Sequence, residues 1–575
     1  MGRREEYPRP DFVRDEWMSL NGSWDFYLGD RKLEIQVPFV CQSALSGIGE
    51  RIREDFVVYE RSFRVPESWR DREILLNFGA VDYSCRVFVN GRMAGEHSGG
   101  QTPFSLDITG LLNWEDEHMR VEVTDPLKDE SIARGKQFWE DEPKFIWYTP
   151  STGIWQSVWL EPADRARFRR IHFTPDIDAG SVRIDYHVTE ETRFPCRVSI
   201  AVTKDGKPVF EGTMECCEAR QSITVDVFHK KALKGAFHYM GSYWSPEEPN
   251  LYDVSMSLAE EDIIKDQVRS YFGMRKIEVR EGKIYLNHKP YYQKLILDQG
   301  YWKEGLITAP SDEDYREDIR KAKAMGFNGC RKHEKVEDPR FLYWADRMGF
   351  LVWEAMASFW MYTPDSAAAF MKEWTDVIQR DYNHPCIVVW GMLNESWGVP
   401  AVGNDRMQQA FARSLYHLAH SLDDTRPVIS NDGWEMTDTD ICAFHSYRHG
   451  KEGDVRQQNI FRAALKSVEA MADIVERPLF APGSAYEGQP VVLSEFGGIS
   501  VSEEEKGWGY TSAGKDLFLN VYGRLIDDIY ESDVICGFCY TQLTDVEQEI
   551  NGLLTEDHEY KFDPAGIREF MDRKQ

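Results

Sequence analysis

The 575-residue sequence predicts two β-sandwiches followed by a (β/α)8 barrel. Three observations predict it. Up to about residue 275, short β-branched and aromatic segments alternate with turn signals, with no helical periodicity of useful length. From about residue 276, eight apolar segments alternate with amphipathic helical stretches. Two of those segments run directly into a glutamate: Cys386 to Leu393 into Asn394-Glu395, and Pro490 to Leu493 into Ser494-Glu495, with Gly497-Gly498 behind it. A near-continuous apolar run is the mark of a strand buried on both faces of a parallel sheet. A barrel of such strands carries its chemical groups at their C-terminal tips.

Residues 1–165 read as a jelly roll. Glu73 to Phe78 and Arg86 to Asn90 are short and β-rich, and Asn90-Gly91 and Gly99-Gly100 are turn signals. Trp139, Trp147, Tyr148, Trp155 and Trp159 cluster near its end. They read as inter-sheet core and domain interface, with a carbohydrate-contacting rim as the alternative. Residues 166–275 read as an immunoglobulin-like sandwich. Ser181 to Thr189 and Cys196 to Val202 alternate apolar and polar, and the adjacent Cys216 and Cys217 cannot bridge to each other. No chemistry is visible there.

Residues 276–575 hold the barrel. Its expected strands are Tyr292 to Asp298, Phe327 to Arg331, Phe350 to Glu354, Ile387 to Leu393, Pro427 to Ser430, Ile441 to Phe444, Pro490 to Leu493 and Val534 to Tyr540. Helices are expected at Asp312 to Met325, Asp338 to Met348, Ala367 to Arg380, Asp405 to Leu422 and Lys515 to Tyr530. The link Asn431 to Asp440 is too short for one. A helical tail is expected at Pro564 to Arg573, with no further C-terminal domain expected in the sequence after it.

Acidic residues outnumber basic ones 97 to 68, a net charge of -29, which argues against a nucleic-acid or anionic-membrane partner. No stretch is long and apolar enough to span a bilayer, and Met1 to Pro8 has no leader pattern, so a cytoplasmic chain, or one whose leader has been removed, is expected. Ten cysteines without framework spacing read as reduced thiols. Cys536-Gly-Phe-Cys539 matches a redox spacing, but on a strand its thiols face opposite sides. Trp, Tyr and Phe number 18, 26 and 31, and flat aromatic faces suit sugar rings as well as cores.

Two strand-tip glutamates point to glycoside hydrolysis, which needs one carboxylic acid and one carboxylate flanking the scissile bond. Other tips add Asp298, Arg331 and His333, Glu354, Asn431 and Asp432, His445 and Tyr447, and Tyr540 with Gln542: a polar, aromatic ring fit for sugar hydroxyls and C–H edges. Trp508 and Tyr510, after Glu495, read equally as a stacking platform or as loop packing. Glu354 reads as a buried carboxylate paired with Arg331. His445 and His449 have metal spacing only on a helix, so no metal and no cofactor are expected.

With those residues in place, the chain resembles glycoside hydrolase family 2 along nearly its whole length. Val81 to Gly91 with Gly99-Gly100 resembles the family's sugar-binding jelly roll, and Phe272 to Ile277 with Ile284 to Pro290 its entry to the barrel. Asn394-Glu395 is similar to its acid/base motif and Ser494-Glu495-Phe-Gly to its nucleophile motif. Arg331 resembles the arginine that supports the nucleophile, and Tyr447 a tyrosine near it. The resemblance implies a retaining exo-β-glycosidase with Glu395 as acid/base, Glu495 as nucleophile and Asn394 on the 2-hydroxyl. Asp298, Arg331, His333, Asp432, Tyr447, Trp508 and Tyr540 complete the expected substrate site. The partner is then a glycoside or oligosaccharide, and a homo-oligomer is left open. A β-galactoside is favoured on family frequency, with a uronidase, an α-L-arabinofuranosidase or an inactive sugar-binding homologue as alternatives. Two departures stand out. The glucuronidases' Asn-x-Lys is replaced by Glu549-Ile-Asn551, and the second strand ends Arg331-Lys-His-Glu334, where the family has Arg-x-Ser-His.

Overall fold

The computed structural model of the chain describes residues 4–140, 142–228, 242–501 and 507–573. In the first sandwich a six-stranded sheet, ordered Arg31–Val37, Gly22–Leu28, Phe56–Phe63, Glu117–Thr124, Ser84–Val89 and Arg92–Ser98, packs on a four-stranded one. Glu117–Thr124 alternates buried and solvated positions, and its Met119, Val121 and Val123 share a core with Leu76, Phe78, Val158 and Leu160 of the other sheet. Asn90 and Gly91, at φ 52° and 72°, make the left-handed tight turn that their sequence predicts.

The second sandwich pairs a three-stranded sheet (Phe168–Asp176, Ser181–Val188, Arg220–Asp226) with a four-stranded one (Lys207–Cys216, Cys196–Lys204, Tyr252–Glu260, Ile263–Phe272), an immunoglobulin-like arrangement. Cys196 lies opposite Cys216 on neighbouring strands of one sheet, and both are free thiols. Arg14 ties the sandwiches together through Glu161 at 3.1 Å, Asp266 at 2.9 Å and the Phe168 carbonyl at 2.9 Å.

Eight parallel strands then form the barrel: Gln293–Asp298, Gly329–Lys332, Leu351–Ala355, Ile387–Gly391, Val428–Ile429, Cys442–His445, Val491–Gly497 and Ile535–Thr541. All eight fall on the segments read from the sequence. Strands five and six close the ring through Gly433, which donates to the Ala443 carbonyl at 3.3 Å and accepts from the His445 amide at 3.4 Å. Gly433 has φ +108°, and a Cβ there would lie 2.9 Å from the His445 ring, so only glycine fits. Helices appear where expected, and the link after strand five holds none. A helix at Val455–Ala464 was not expected: it buries only Phe461 and Ala464, too narrow a stripe to read as amphipathic. Among the described residues, no helix is long and apolar enough to cross a membrane.

Strand four, which leads to Glu395, is fixed at its base. Arg275 donates to the Pro385 and Ile387 carbonyls at 3.0 and 2.7 Å, and Arg426 to those of Tyr382, His384 and Ile387 at 2.8, 2.8 and 2.9 Å. Carbonyls that would otherwise be buried unpaired are thus satisfied by side chains.

A strap from the first sandwich, residues 130–140 and 142–149, crosses the C-terminal mouth of the barrel. The Arg134 and Gly135 amides donate to the Ser358 carbonyl at 3.0 and 2.9 Å, and Gln548 Nε2 to the Phe145 and Trp147 carbonyls at 2.9 and 2.8 Å. Gly135, at φ +55°, sits so close that a Cβ would be 2.3 Å from the Glu334 carbonyl oxygen.

Candidate active site

Strand four runs into a turn in which Glu395 and Ser396 both have positive φ, 49° and 61°. Non-glycine residues hold this conformation only when their surroundings impose it. Here the Glu395 amide donates to the Asp432 carbonyl at 2.8 Å, the Ser396 amide to Asn431 Oδ1 at 3.0 Å, and the Trp397 amide to the Asn394 carbonyl at 2.7 Å. The turn aims the Glu395 carboxylate at the barrel axis.

Glu495 comes from strand seven, opposite. Arg331 Nη1 donates to its Oε1 at 2.6 Å and the Tyr447 hydroxyl to its Oε2 at 2.7 Å. Arg331 also donates to Asn394 Oδ1 at 2.6 Å and pairs through Nε with Asp432 at 2.7 Å. One guanidinium therefore aligns residues from strands four, five and seven. Oxygens of Glu395 and Glu495 lie within 4.8 Å of one another and of a nitrogen of His445.

His445 sits between them, with Nδ1 2.8 Å from Glu395, and Nε2 3.2 Å from Asp432 and 3.5 Å from Glu495. Burial alone would discharge the ring, but Glu495, Asp432 and Glu395 push its pKa up to about 10, so it is an imidazolium. The two glutamates are driven apart. Burial raises Glu395, and the Glu495 charge adds to it, against the His445 hydrogen bond. Burial also acts on Glu495, but the His445 and Arg331 cations and the Tyr447 hydroxyl outweigh it and hold that carboxyl below its usual range. Opposed shifts of this kind are what a pair of one acid and one anion requires. His333, desolvated and facing Arg331, Lys136 and His445, is held far below the ordinary histidine value and is neutral.

Several buried polar atoms here have no hydrogen-bond partner among the described residues: Asn394 Nδ2, His333 Nε2, Trp434 Nε1, Gln542 Nε2 and Asn551 Oδ1. Such a set of buried donors and acceptors suits a polyhydroxylated ligand.

Of the ten residues expected at the site, Glu395, Glu495, Arg331, Asn394, Asp432, Tyr447 and His333 converge. Tyr510 stacks on Tyr447, centroids 3.5 Å apart, and Trp508 packs on Tyr510 at 4.7 Å. Asp298 lies aside, accepting from Lys332 Nζ at 2.7 Å, and Tyr540 is wedged between Phe496 and Tyr522 with its ring fully buried. Glu354 is not paired with Arg331. It points out of the barrel, and burial with the nearby Asp381 charge raises it to about 8. Cys536 and Cys539 do face opposite sides, the first towards the Val491 carbonyl and the second, fully buried, towards Arg331.

Sequence reading missed two groups. His445 was visible at a strand tip, but not as the bridge between the glutamates. Lys136 comes from the strap, where no motif marks it. Only 4% exposed, it has its ion pair among the described residues with Glu549 at 3.8 Å and lies 5.9 Å from the Trp397 ring. Glu549 also accepts from Tyr148 at 2.6 Å and Asn551 at 3.0 Å.

Known proteins resemble the chain throughout. A beta-galactosidase of Thermoanaerobacter pseudethanolicus is 26% identical over 422 residues, 70% of this chain and 52% of that protein. A putative beta-glucuronidase of Formosa agariphila is 26% identical over 392 residues, 64% and 43% of the two chains. The chain spans about half the length of these relatives. Among solved structures, the beta-D-glucuronidase of Dictyoglomus thermophilum superposes with a TM-score of 0.80 at 19% identity over 99% of both chains, and that of Ruminococcus gnavus with 0.79 at 17% over all of both. At such identities the likeness is one of fold. Residues 45–162 match the sugar binding domain of glycosyl hydrolases family 2, residues 277–522 its TIM barrel domain and residues 166–275 a further model described simply as glycosyl hydrolases family 2, and on these three matches the chain belongs to that family.

Proposed function

We propose that the chain is a retaining exo-β-glycosidase in which Glu395 is the acid/base and Glu495 the nucleophile. One observation carries this: two carboxylates with oxygens within 4.8 Å and opposed ionisation tendencies. Retaining enzymes hold the two carboxyl groups about 5–5.5 Å apart and inverting ones about 6.5–9.5 Å, to admit a water; oxygens this close support the shorter, retaining arrangement. Glu495 attacks the anomeric carbon while Glu395 gives its proton to the departing glycosidic oxygen. A water, giving its proton to Glu395, then attacks the same carbon and releases Glu495. Asn394 Nδ2, otherwise unpartnered, donates to the sugar 2-hydroxyl. Arg331 and Tyr447 keep Glu495 anionic and oriented. The intact pair argues against an inactive sugar-binding homologue.

A neutral sugar, β-galactoside first, is the reading supported by the names of several relatives and by Glu549, whose charge would repel a sugar carboxylate. A second reading, a β-uronide, is favoured by Lys136, which offsets Glu549. Of the other nearby cations, Lys332 is committed to Asp298 and Glu337 at 2.7 and 2.8 Å, and Arg448 is exposed.

Aryl β-galactoside, β-glucuronide and β-galacturonide assayed side by side, with the product anomer followed by NMR, test both levels. Turnover with retention is expected. Inversion would contradict the carboxylate roles. A uronide preference abolished by Lys136→Met would replace the first sugar reading with the second.

A further inference from the structure

We infer that Trp397, Trp360, Trp147 and Trp139 form a platform for the leaving group, which selects substrates whose aglycone presents a flat apolar face, an aryl ring or the C–H face of a second sugar. The inference rests on the glycosidase reading and extends it to the far side of the scissile bond. Trp397 stands two residues beyond Glu395 in the same strained turn. Its ring centroid is 4.2 Å from that of Trp360, which is 4.4 Å from Trp147, and Trp139 completes the cluster at 5.1 Å from Trp147 and 5.4 Å from Trp360. All four are partly exposed, whereas Trp24, Trp244, Trp353, Trp374 and Trp390, which serve as core, are fully buried. Trp155 and Trp159, read from the sequence as one cluster with Trp139 and Trp147, are 1% and 4% exposed, and Trp155 packs at the interface with the barrel against Tyr301, Leu306 and Ile307.

Position decides what covers them. Glu395 must protonate the departing oxygen, so the aglycone leaves on its side of the pocket, and the tryptophans continue outward from that glutamate. The two halves of the platform come from different domains: Trp360 and Trp397 from the barrel, Trp139 and Trp147 from the strap. The strap is pinned here by the Trp360 and Met361 amides, which donate to the Glu130 carbonyl at 2.7 and 2.8 Å, and by Trp360 Nε1 to the Gly135 carbonyl at 3.2 Å. Four partly exposed indoles held rigidly in this way lose little entropy when a flat group docks.

Kinetics on one glycon with three leaving groups, methyl, 4-methylumbelliferyl and glucose, test the inference in Trp147→Ala and Trp360→Ala. Trp360→Phe is the control that keeps a ring. Relative to the methyl glycoside, kcat/KM for at least one flat-aglycone substrate should fall by roughly a further tenfold in the alanine variants, the size of one lost stacking contact, and largely recover in Trp360→Phe. Selective loss on the umbelliferyl substrate identifies an aryl-directed platform, and on the glucose substrate a sugar-directed one. Equal losses on all three, or none, would overturn the inference while leaving the catalytic roles intact. If the wild type turned over no glycoside, those roles would fail, and the platform would be read by fluorescence instead: the umbelliferyl glycoside should quench tryptophan emission saturably in the wild type and not in Trp147→Ala. Emission already shielded from acrylamide and unmoved by the ligand would mean that a second copy of the chain covers the platform, and would equally overturn the inference.

Discussion

Replacing His445 by Gln should shift the whole pH–rate profile to higher pH. The imidazolium lies 3.5 Å from Glu495 and 2.8 Å from Glu395. At an effective dielectric constant of about 20, unit charges about 4 Å apart interact by about 4 kcal/mol, equivalent to about three pKa units at about 1.36 kcal/mol each. Arg331 remains beside Glu495, so a shift of roughly one to two units is the expectation. The sign is the same for both groups: a lost cation raises both carboxyls. The acid limb of kcat/KM reports ionisation of Glu495 and the alkaline limb loss of the Glu395 proton, so both limbs should move up. The assay is kcat/KM for an aryl glycoside from about pH 4 to 10, where free-enzyme pKa values are read. Gln keeps a donor towards Glu395, so a simple loss of orientation would lower the rate without moving the limbs. An acid limb that stays in place would refute the electrostatic role of His445.

Glu395→Ala should lower kcat/KM far more for alkyl glycosides than for aryl glycosides with good leaving groups, by roughly a hundredfold, because acid assistance matters least there; equal losses on both would remove Glu395 from the acid role. Gly135→Ala forces a Cβ to 2.3 Å from the Glu334 carbonyl oxygen at φ +55°, and should cost about 2–4 kcal/mol in denaturant unfolding or, if the strap detaches instead, raise KM while the melting temperature holds. An unchanged protein on both measures would contradict the strap's fit. Arg14→Ala leaves Glu161 and Asp266 buried without their shared cation and should destabilise the chain by about 3–5 kcal/mol, measured by the shift in denaturation midpoint.

The barrel was legible because its strands are buried on both faces, so the apolar runs Ile387 to Leu393 and Pro490 to Leu493 stand out with no need of alternation. The two glutamates were legible because a charge at the end of such a run has one place to go. The Val455–Ala464 helix was hidden because it rests largely in solvent and needs few apolar residues. Glu354 was misassigned because the sequence does not show which side of a barrel strand a residue takes: Trp353 faces inward, donating to Gln293 at 2.6 Å, so its neighbour points out. Lys136 was illegible as a site residue, and Trp139 and Trp147 legible only as an alternative carbohydrate-contacting rim, because the three reach the mouth from another domain. The strap's contacts with Ser358, Trp360, Met361 and Gln548 bring them there.

The central claim is that Glu495 forms the covalent bond and Glu395 handles the proton. Glu495→Gly, given a good aryl glycoside and added azide, tests it most directly. The account predicts negligible turnover without azide and its restoration with azide, yielding the α-glycosyl azide, because the small anion occupies the space of the lost carboxylate and attacks from its face. In Glu395→Ala the same anion should yield the β-glycosyl azide. A β product from Glu495→Gly, or activity retained without azide, would contradict the assignment.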